Sequence, residues 1–163
     1  MLIKFLINHQ YHLFFYKYSR NVNKIANNSY SILKGIYMFS HIMIGANDIQ
    51  ASKVFYDAIL GELGHSPGVI DEKGRCFYFA GDNIFALTTP INGEPSSHGN
   101  GTTIGFSVTS TEQADAWHSA GIANGGVNCE DLPGVREMGG GQLYLAYLLD
   151  PSGNKICALH RIS

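Results

Sequence analysis

The sequence predicts an α+β fold in which one strand–helix–strands unit is written twice, and three observations carry that prediction. Asn83-Ile84-Phe85-Ala86-Leu87 and Lys155-Ile156-Cys157-Ala158-Leu159 read as the same strand. Upstream, His41-Ile42-Met43-Ile44-Gly45 leads into a helical stretch over 49–60, as Thr103-Ile104-Gly105-Phe106-Ser107 leads into one over 111–120. The spacing between these elements is constant: His41 maps to Thr103, Ile49 to Thr111 and Phe55 to Trp117, each 62 positions on. Self-similarity of this kind marks a repeated supersecondary unit, and it presents equivalent positions of the two repeats to a shared cleft.

Each element has its own local reason. In the strand over 39–45, His41 and Met43 face one side and Ile42 and Ile44 the other, the period of two that a strand imposes. Asn47-Asp48 supplies short oxygen side chains to cap the first helix, whose apolar stripe is Val54, Phe55, Ala58 and Ile59. Gly61 and Gly64 close it. Strands over 67–70 and 76–80 follow, joined by Asp71-Glu72-Lys73-Gly74, and Gly81-Asp82-Asn83 is a tight hairpin signal before a strand over 84–88. The segment from Pro90 to Gly101 is a loop between the halves. Then the scheme repeats: a strand over 103–108, a helix over 111–121 capped by Ser110 or Thr111 and containing Ala114, Trp117 and His118, and release at Gly121 to Gly126. A polar, glycine-rich stretch over 128–141 holds a strand around 134–137. A strand over 142–149, the turn Asp150-Pro151-Ser152-Gly153-Asn154 and a last strand over 156–160 complete it. Both halves read βαβββ, at about 38–89 and 102–162, within a single domain over 38–163.

The composition fits a folded domain: 163 residues, 45% hydrophobic and 15% charged. Cys76, Cys129 and Cys157 are an odd number with no close pair, neither a disulfide framework nor a zinc spacing, which points to a reducing, cytoplasmic setting. Lys4, Lys17, Arg20, Lys24 and Lys34 are unopposed by any acid within 1–37, whereas the remainder holds 6 Lys/Arg against 13 Asp/Glu. An acidic domain lacks the cations that phosphate contacts require, so no nucleic-acid partner is expected. Lys4, His9, Gln10 and His12 interrupt any apolar run near the start, so neither a signal peptide nor a membrane span of about 20 apolar residues is expected. A basic, acid-free segment fits an organelle-targeting or membrane-surface peptide. The composition of 1–37 fits better an extension outside the core, as when translation is annotated too far upstream and Met38 begins the protein.

Three stretches resemble the vicinal-oxygen-chelate superfamily of glyoxalase, bleomycin-resistance and extradiol-dioxygenase proteins. They are Ser40-His41-Ile42 running to Asn47-Asp48-Ile49, Phe55-Tyr56-Asp57 through Leu60-Gly61, and Asp150-Pro151-Ser152-Gly153-Asn154-Lys155-Ile156. The resemblance implies two βαβββ modules forming a curled mixed sheet around a cleft, often completed by a homodimer. Metal-dependent members place one ligand on the first and last strand of each module. Carried over by motif, those positions are His41, Phe85, Thr103 and Cys157, with Ala86 as the choice if the fourth strand slips by one residue. His41 alone is a good ligand; Phe85 cannot coordinate, Thr103 is a weak donor and Cys157 binds only as thiolate. The expectation is therefore a glyoxalase-like protein without metal or other cofactor.

His41 is the candidate catalytic residue, a base or hydrogen-bond donor whose ordinary pKa lies near neutrality. Ligand-binding candidates are His41, Phe85, Thr103 and Cys157 on the cleft strands, Arg136 and Tyr147 beside them, and His98 in the glycine-rich loop, since loops on a rigid scaffold carry function. Arg136 and Arg75 sit in equivalent hairpins and would bind a carboxylate bidentately if aimed at the cleft; His118 and His160 read as scattered. Two functions fit. One is a binding protein that sequesters or presents a small carbonyl-bearing or aromatic metabolite. The other is a lactoylglutathione-lyase-like enzyme, or another metal-assisted lyase or dioxygenase.

Overall fold

The computed structural model describes residues 38–138 and 141–162; the extension expected over 1–37 lies outside them. The elements run β1 (His41–Gly45), α1 (Ile49–Gly61), β2 (Val69–Ile70), β3 (Cys76–Ala80), β4 (Asn83–Thr88), β5 (Ile104–Ser107), α2 (Thr111–Ala123), β6 (Val127–Asn128), β7 (Gly134–Met138), β8 (Gly141–Leu149) and β9 (Lys155–Ile162). The first sheet has the order β1-β4-β3-β2, with β1 parallel to β4 and the other pairs antiparallel. The second has the order β5-β9-β8-β6, with β7 on β8 and β5 parallel to β9. This is the expected α+β architecture, with one strand more. Val127 and Asn128 are both exposed and show no alternation in the sequence; pairing with Leu149 and Leu148 of β8 makes them a strand.

The repeat is exact in the helices. Both have 13 residues, and Asp48 and Ser110 cap them by accepting from the amides of Ala51 and Gln113 at 2.9 and 3.2 Å. Phe55, Tyr56, Ile59 and Leu60 of α1 and Ala114 and Trp117 of α2 share one core with Cys76, Tyr78 and Leu87 of the first sheet. Ala146, Leu148, Ile156 and Ala158 of the second sheet join the same core. One face of each sheet is thus turned inward, and the opposite faces lie outside that core. Helix α2 and strand β8 approach so closely that a Cβ on Gly121 would fall 2.3 Å from Leu148 Cδ1, which is why a glycine stands in the last turn of α2. Among the described residues no helix is long and apolar enough to cross a membrane.

In the last strand of each half the repeat differs from the sequence match. The amide of Ala46 donates to Thr88 O at 2.9 Å and that of Val108 to Leu159 O at 3.0 Å. Positions 46 and 108 differ by 62, but 88 and 159 differ by 71. The textual match of Asn83 with Lys155 needs 72. The fold therefore pairs Phe85 with Ile156 and Ala86 with Cys157. A slip of one residue moves a strand's side chains to the other face of its sheet.

The halves are clasped by the turn before β9. Asp150, 3% exposed, accepts from Tyr56 Oη at 2.9 Å, from the amides of Ser152 and Asn154 at 2.8 and 2.9 Å, and from Asn154 Nδ2 at 2.9 Å. Asn154 Nδ2 also donates to Gly45 O at 2.9 Å, and the Asn47 amide donates to Ser152 Oγ at 3.0 Å. Replacing Asp150 with Ala strands several buried donors at once. The expected loss is about 3 kcal/mol or more in denaturant unfolding, against a few tenths for Glu94→Ala in the exposed linker.

A second network lies at the edge of the core. Asp57 accepts from Lys53 Nζ at 2.5 Å, from the Gly68 amide at 2.8 Å and from Tyr78 Oη at 3.0 Å. Partial burial pushes its carboxyl upward, but these donors outweigh it and hold the pKa below the ordinary value. A depressed folded-state pKa adds stability that is present above the unfolded value of about 3.9 and fades as the pH falls below it. Acid unfolding of Asp57→Asn followed by circular dichroism should therefore depend less steeply on pH between about 4 and 2 than that of the parent chain.

Candidate functional site

Register decides which side chains share the outward face of each sheet. In the first sheet His41 is the partner of Ile84, Met43 of Ala86, and Ala86 of Phe77. His41, Met43, Phe77, Phe79, Ile84 and Ala86 therefore stand on the face opposite the helices. Phe85 is the partner of Ile42 and Tyr78, on the inner face. Its ring packs 4.8 Å from Tyr56 and meets Phe106 edge-on at 5.5 Å. The expectation that Phe85 occupies the cleft position on β4 is thus corrected. Ala86, 0% exposed, holds that position, because strand register and not the textual repeat sets the face.

In the second sheet Cys157 is the partner of Gly105 and Tyr147, and all three belong to the outward face. By the same alternation so does Thr103, which directly precedes β5. Burial pushes the Cys157 thiol up to about 11, the nearby Lys155 opposing, so at neutral pH it is a thiol and neither nucleophile nor good ligand. Lys155 Nζ lies 4.7 Å over the Tyr147 ring and pairs with Glu130, where the backbone takes the left-handed φ of 62°. Arg136 shares this face with Leu143 and Arg161 by register. Its guanidinium turns back on its own hairpin, donating to Val135 O at 3.1 Å and Leu132 O at 2.9 Å. Arg75 is likewise spent locally, donating to Asp71 at 2.6 and 2.8 Å while lying 5.1 Å over the Phe77 ring. His98 rests against the clasp: a Cβ on Gly153 would come 2.9 Å from its Nδ1. His118 hydrogen-bonds Asn128 at 2.8 Å and His160 reaches Val108 O at 3.3 Å.

A cavity of about 230 Å³ opens at the start of β1, lined by residues from both halves, among them His41, His65, Tyr78, Phe85, Gly105 and Phe106. It brings together His41 and Phe85; Thr103, Cys157, Arg136, Tyr147 and His98 are not among its lining residues. The expected meeting of His41 with Thr103 and Cys157 does not occur within one chain, since the two sheets turn these faces away from their common core. His65 carries no signal in the sequence. It follows the left-handed Gly64 that ends α1 (φ 81°), and only folding brings it to β1.

The family profile described as Glyoxalase/Bleomycin resistance protein/Dioxygenase superfamily matches residues 38–158. The chain belongs to this superfamily. A solved glyoxalase/bleomycin resistance protein from Albidiferax ferrireducens is 60% identical, with a TM-score of 0.74, covering 77% of this chain and 100% of its own. A glyoxalase/bleomycin resistance protein/dioxygenase family enzyme from Burkholderia phytofirmans shares the fold at 21% identity and a TM-score of 0.59, covering 76% of this chain and 98% of its own. A virulence protein of Salmonella typhimurium does so at 22% and 0.53, covering 78% and 99%. No curated protein matches the chain.

The superfamily's metal can be tested against the donors present. The cleft-face positions hold one imidazole, a methyl group, a hydroxyl and a thiol: His41, Ala86, Thr103 and Cys157. This donor set does not fit a divalent ion, which needs three or four anionic or imidazole ligands to fix an open catalytic site.

Proposed function

We propose that this glyoxalase-superfamily chain is a metal-independent small-molecule-binding protein of the cytoplasm. It sequesters or presents a small carbonyl-bearing or aromatic metabolite, with His41 as the hydrogen-bonding group. The observation that supports this reading is the cleft-face set itself, in which His41 is accompanied by Ala86, Thr103 and Cys157 where ligands would be needed. The outward face of the first sheet carries exposed apolar side chains, Met43 at 38%, Phe79 at 50% and Val69 at 59%. Such a surface favours a partner, and a homodimer would set the His41 face of one copy against the Cys157 face of the other. The second reading, a metal-assisted lyase or dioxygenase, draws on His41 alone.

Titration calorimetry with nickel, zinc, manganese and ferrous ions separates the two readings. No tight, stoichiometric binding is expected, and near-stoichiometric uptake would reverse the assignment. A thermal-shift screen against small carbonyl and aromatic metabolites then finds the ligand, which at 100 times its dissociation constant adds about 2.7 kcal/mol of stability.

A further inference from the structure

The cavity at the start of β1 adjoins the cleft faces and shares His41 with them, so its assignment rests on and deepens the binding reading proposed above. The cavity is built inside one chain, where the first half meets the second, and needs no other copy. Phe85 from β4 and Phe106 from β5 supply rings that meet edge to face at 5.5 Å. Tyr78 stands 6.1 Å from Phe85, and Ile42, Leu60 and Ile104 complete the apolar wall. Polar groups of the lining are His41, whose Nδ1 is 3.0 Å from Ser40 Oγ, Asn83, and His65, half-buried beyond the end of α1.

Size and lining together define an occupant. The cavity is open to solvent past Phe39 and Phe79, 60% and 50% exposed. Its volume of about 230 Å³ exceeds the volume of about 150 Å³ that accepts benzene, room for a benzene ring bearing one or two small substituents. Aromatic walls favour an aromatic guest through edge-to-face packing, and a few polar groups in an apolar pocket fix its orientation. We infer that this cavity is a binding site for a single substituted benzene ring of phenol or aryl-carbonyl type, its ring against Phe85 and Phe106 and its oxygen at His41 and His65.

The probe is 4-methylphenol, titrated into the full chain by calorimetry and by protein-observed NMR, with toluene and glycerol as comparisons. One saturable site per chain is expected for 4-methylphenol and none for glycerol. Ile104→Trp fills the wall from the inner face and should weaken binding at least about tenfold. His65→Phe should weaken 4-methylphenol while sparing toluene, because it removes a hydrogen bond and keeps the apolar volume. Thr103→His with Cys157→Glu changes the cleft face at positions outside the cavity lining, so loss of ring binding in that variant would place the ring in the cleft and overturn this cavity as its site. Absence of saturable binding up to about 10 mM, or affinity for 4-methylphenol unchanged in both Ile104→Trp and His65→Phe, would overturn the assignment.

Discussion

Phe85→Glu is expected to prevent folding, whereas Ala86→Glu, one residue on, leaves a folded protein. Removing the Phe85 ring forfeits its contacts with Tyr56 and Phe106, about 3–5 kcal/mol for a core phenylalanine. The new carboxylate would then sit partly desolvated against Tyr56 and Phe106 at the wall of the cavity, which adds to the loss. The total is of the order of a whole domain's stability, about 5–15 kcal/mol. Ala86 is fully covered but faces away from the helices, so a longer polar side chain there has to displace Met43 and Phe77 to reach solvent, at a packing cost smaller than the loss of the Phe85 ring. Circular dichroism melts of the two variants decide it. A cooperative Phe85→Glu melt near the parent's, beside an unfolded Ala86→Glu, would mean that β4 is displaced by one residue from the register described.

The same register governs a gain of function. Ala86→Glu, Thr103→His and Cys157→Glu together with the resident His41 would give two imidazoles and two carboxylates on the cleft faces, a donor set that suits nickel or zinc. Affinity for these ions should rise by orders of magnitude over the parent chain. Because the two faces belong to opposite sides of one chain, binding should appear with one ion per pair of facing sheets and depend on protein concentration. Substituting Glu at position 85 in place of 86 should give no such gain. Calorimetry on the triple variant, with sedimentation to follow association, measures both. No gain in affinity would mean that the outward faces do not come together.

Much of this was legible in the residues. The helices declare themselves through Asp48 and Ser110 and through a spacing of 62 that the structure keeps from one N-cap to the other. The hairpins follow Gly74, Gly81 and Gly153, all at positive φ, where glycine alone adopts the turn without strain. What misled was β4. Ile84, Phe85, Ala86 and Leu87 are apolar throughout, with none exposed, so no alternation separates the inner face from the outer. The shared isoleucine, alanine and leucine aligned β4 with β9 at 72, and hydrogen bonding fixes 71. His41 was found because the Ser40-His41-Ile42 motif carries over the ligand position that the resembled superfamily places on its first strand. His65 and the aromatic cavity were not, since they arise where α1 ends and β5 begins, a juxtaposition that no local pattern encodes.

The linker between the halves has a further consequence. Its tip at Ile91 is fully exposed, while a few residues on, Ser96 is held by Asn47 through bonds of 2.6 and 3.3 Å. A protease that cuts beside Ile91 would sever the chain without separating its pieces, because Tyr56 still meets Asp150 and Gly45 still meets Asn154 across the cut. The nicked protein should elute as one species under native conditions and as two fragments in denaturant. Two half-length polypeptides produced side by side should find each other in the same way. On that view the peptide joint is a matter of stoichiometry more than of adhesion: it guarantees one copy of each half per molecule and keeps either half from pairing with its own kind.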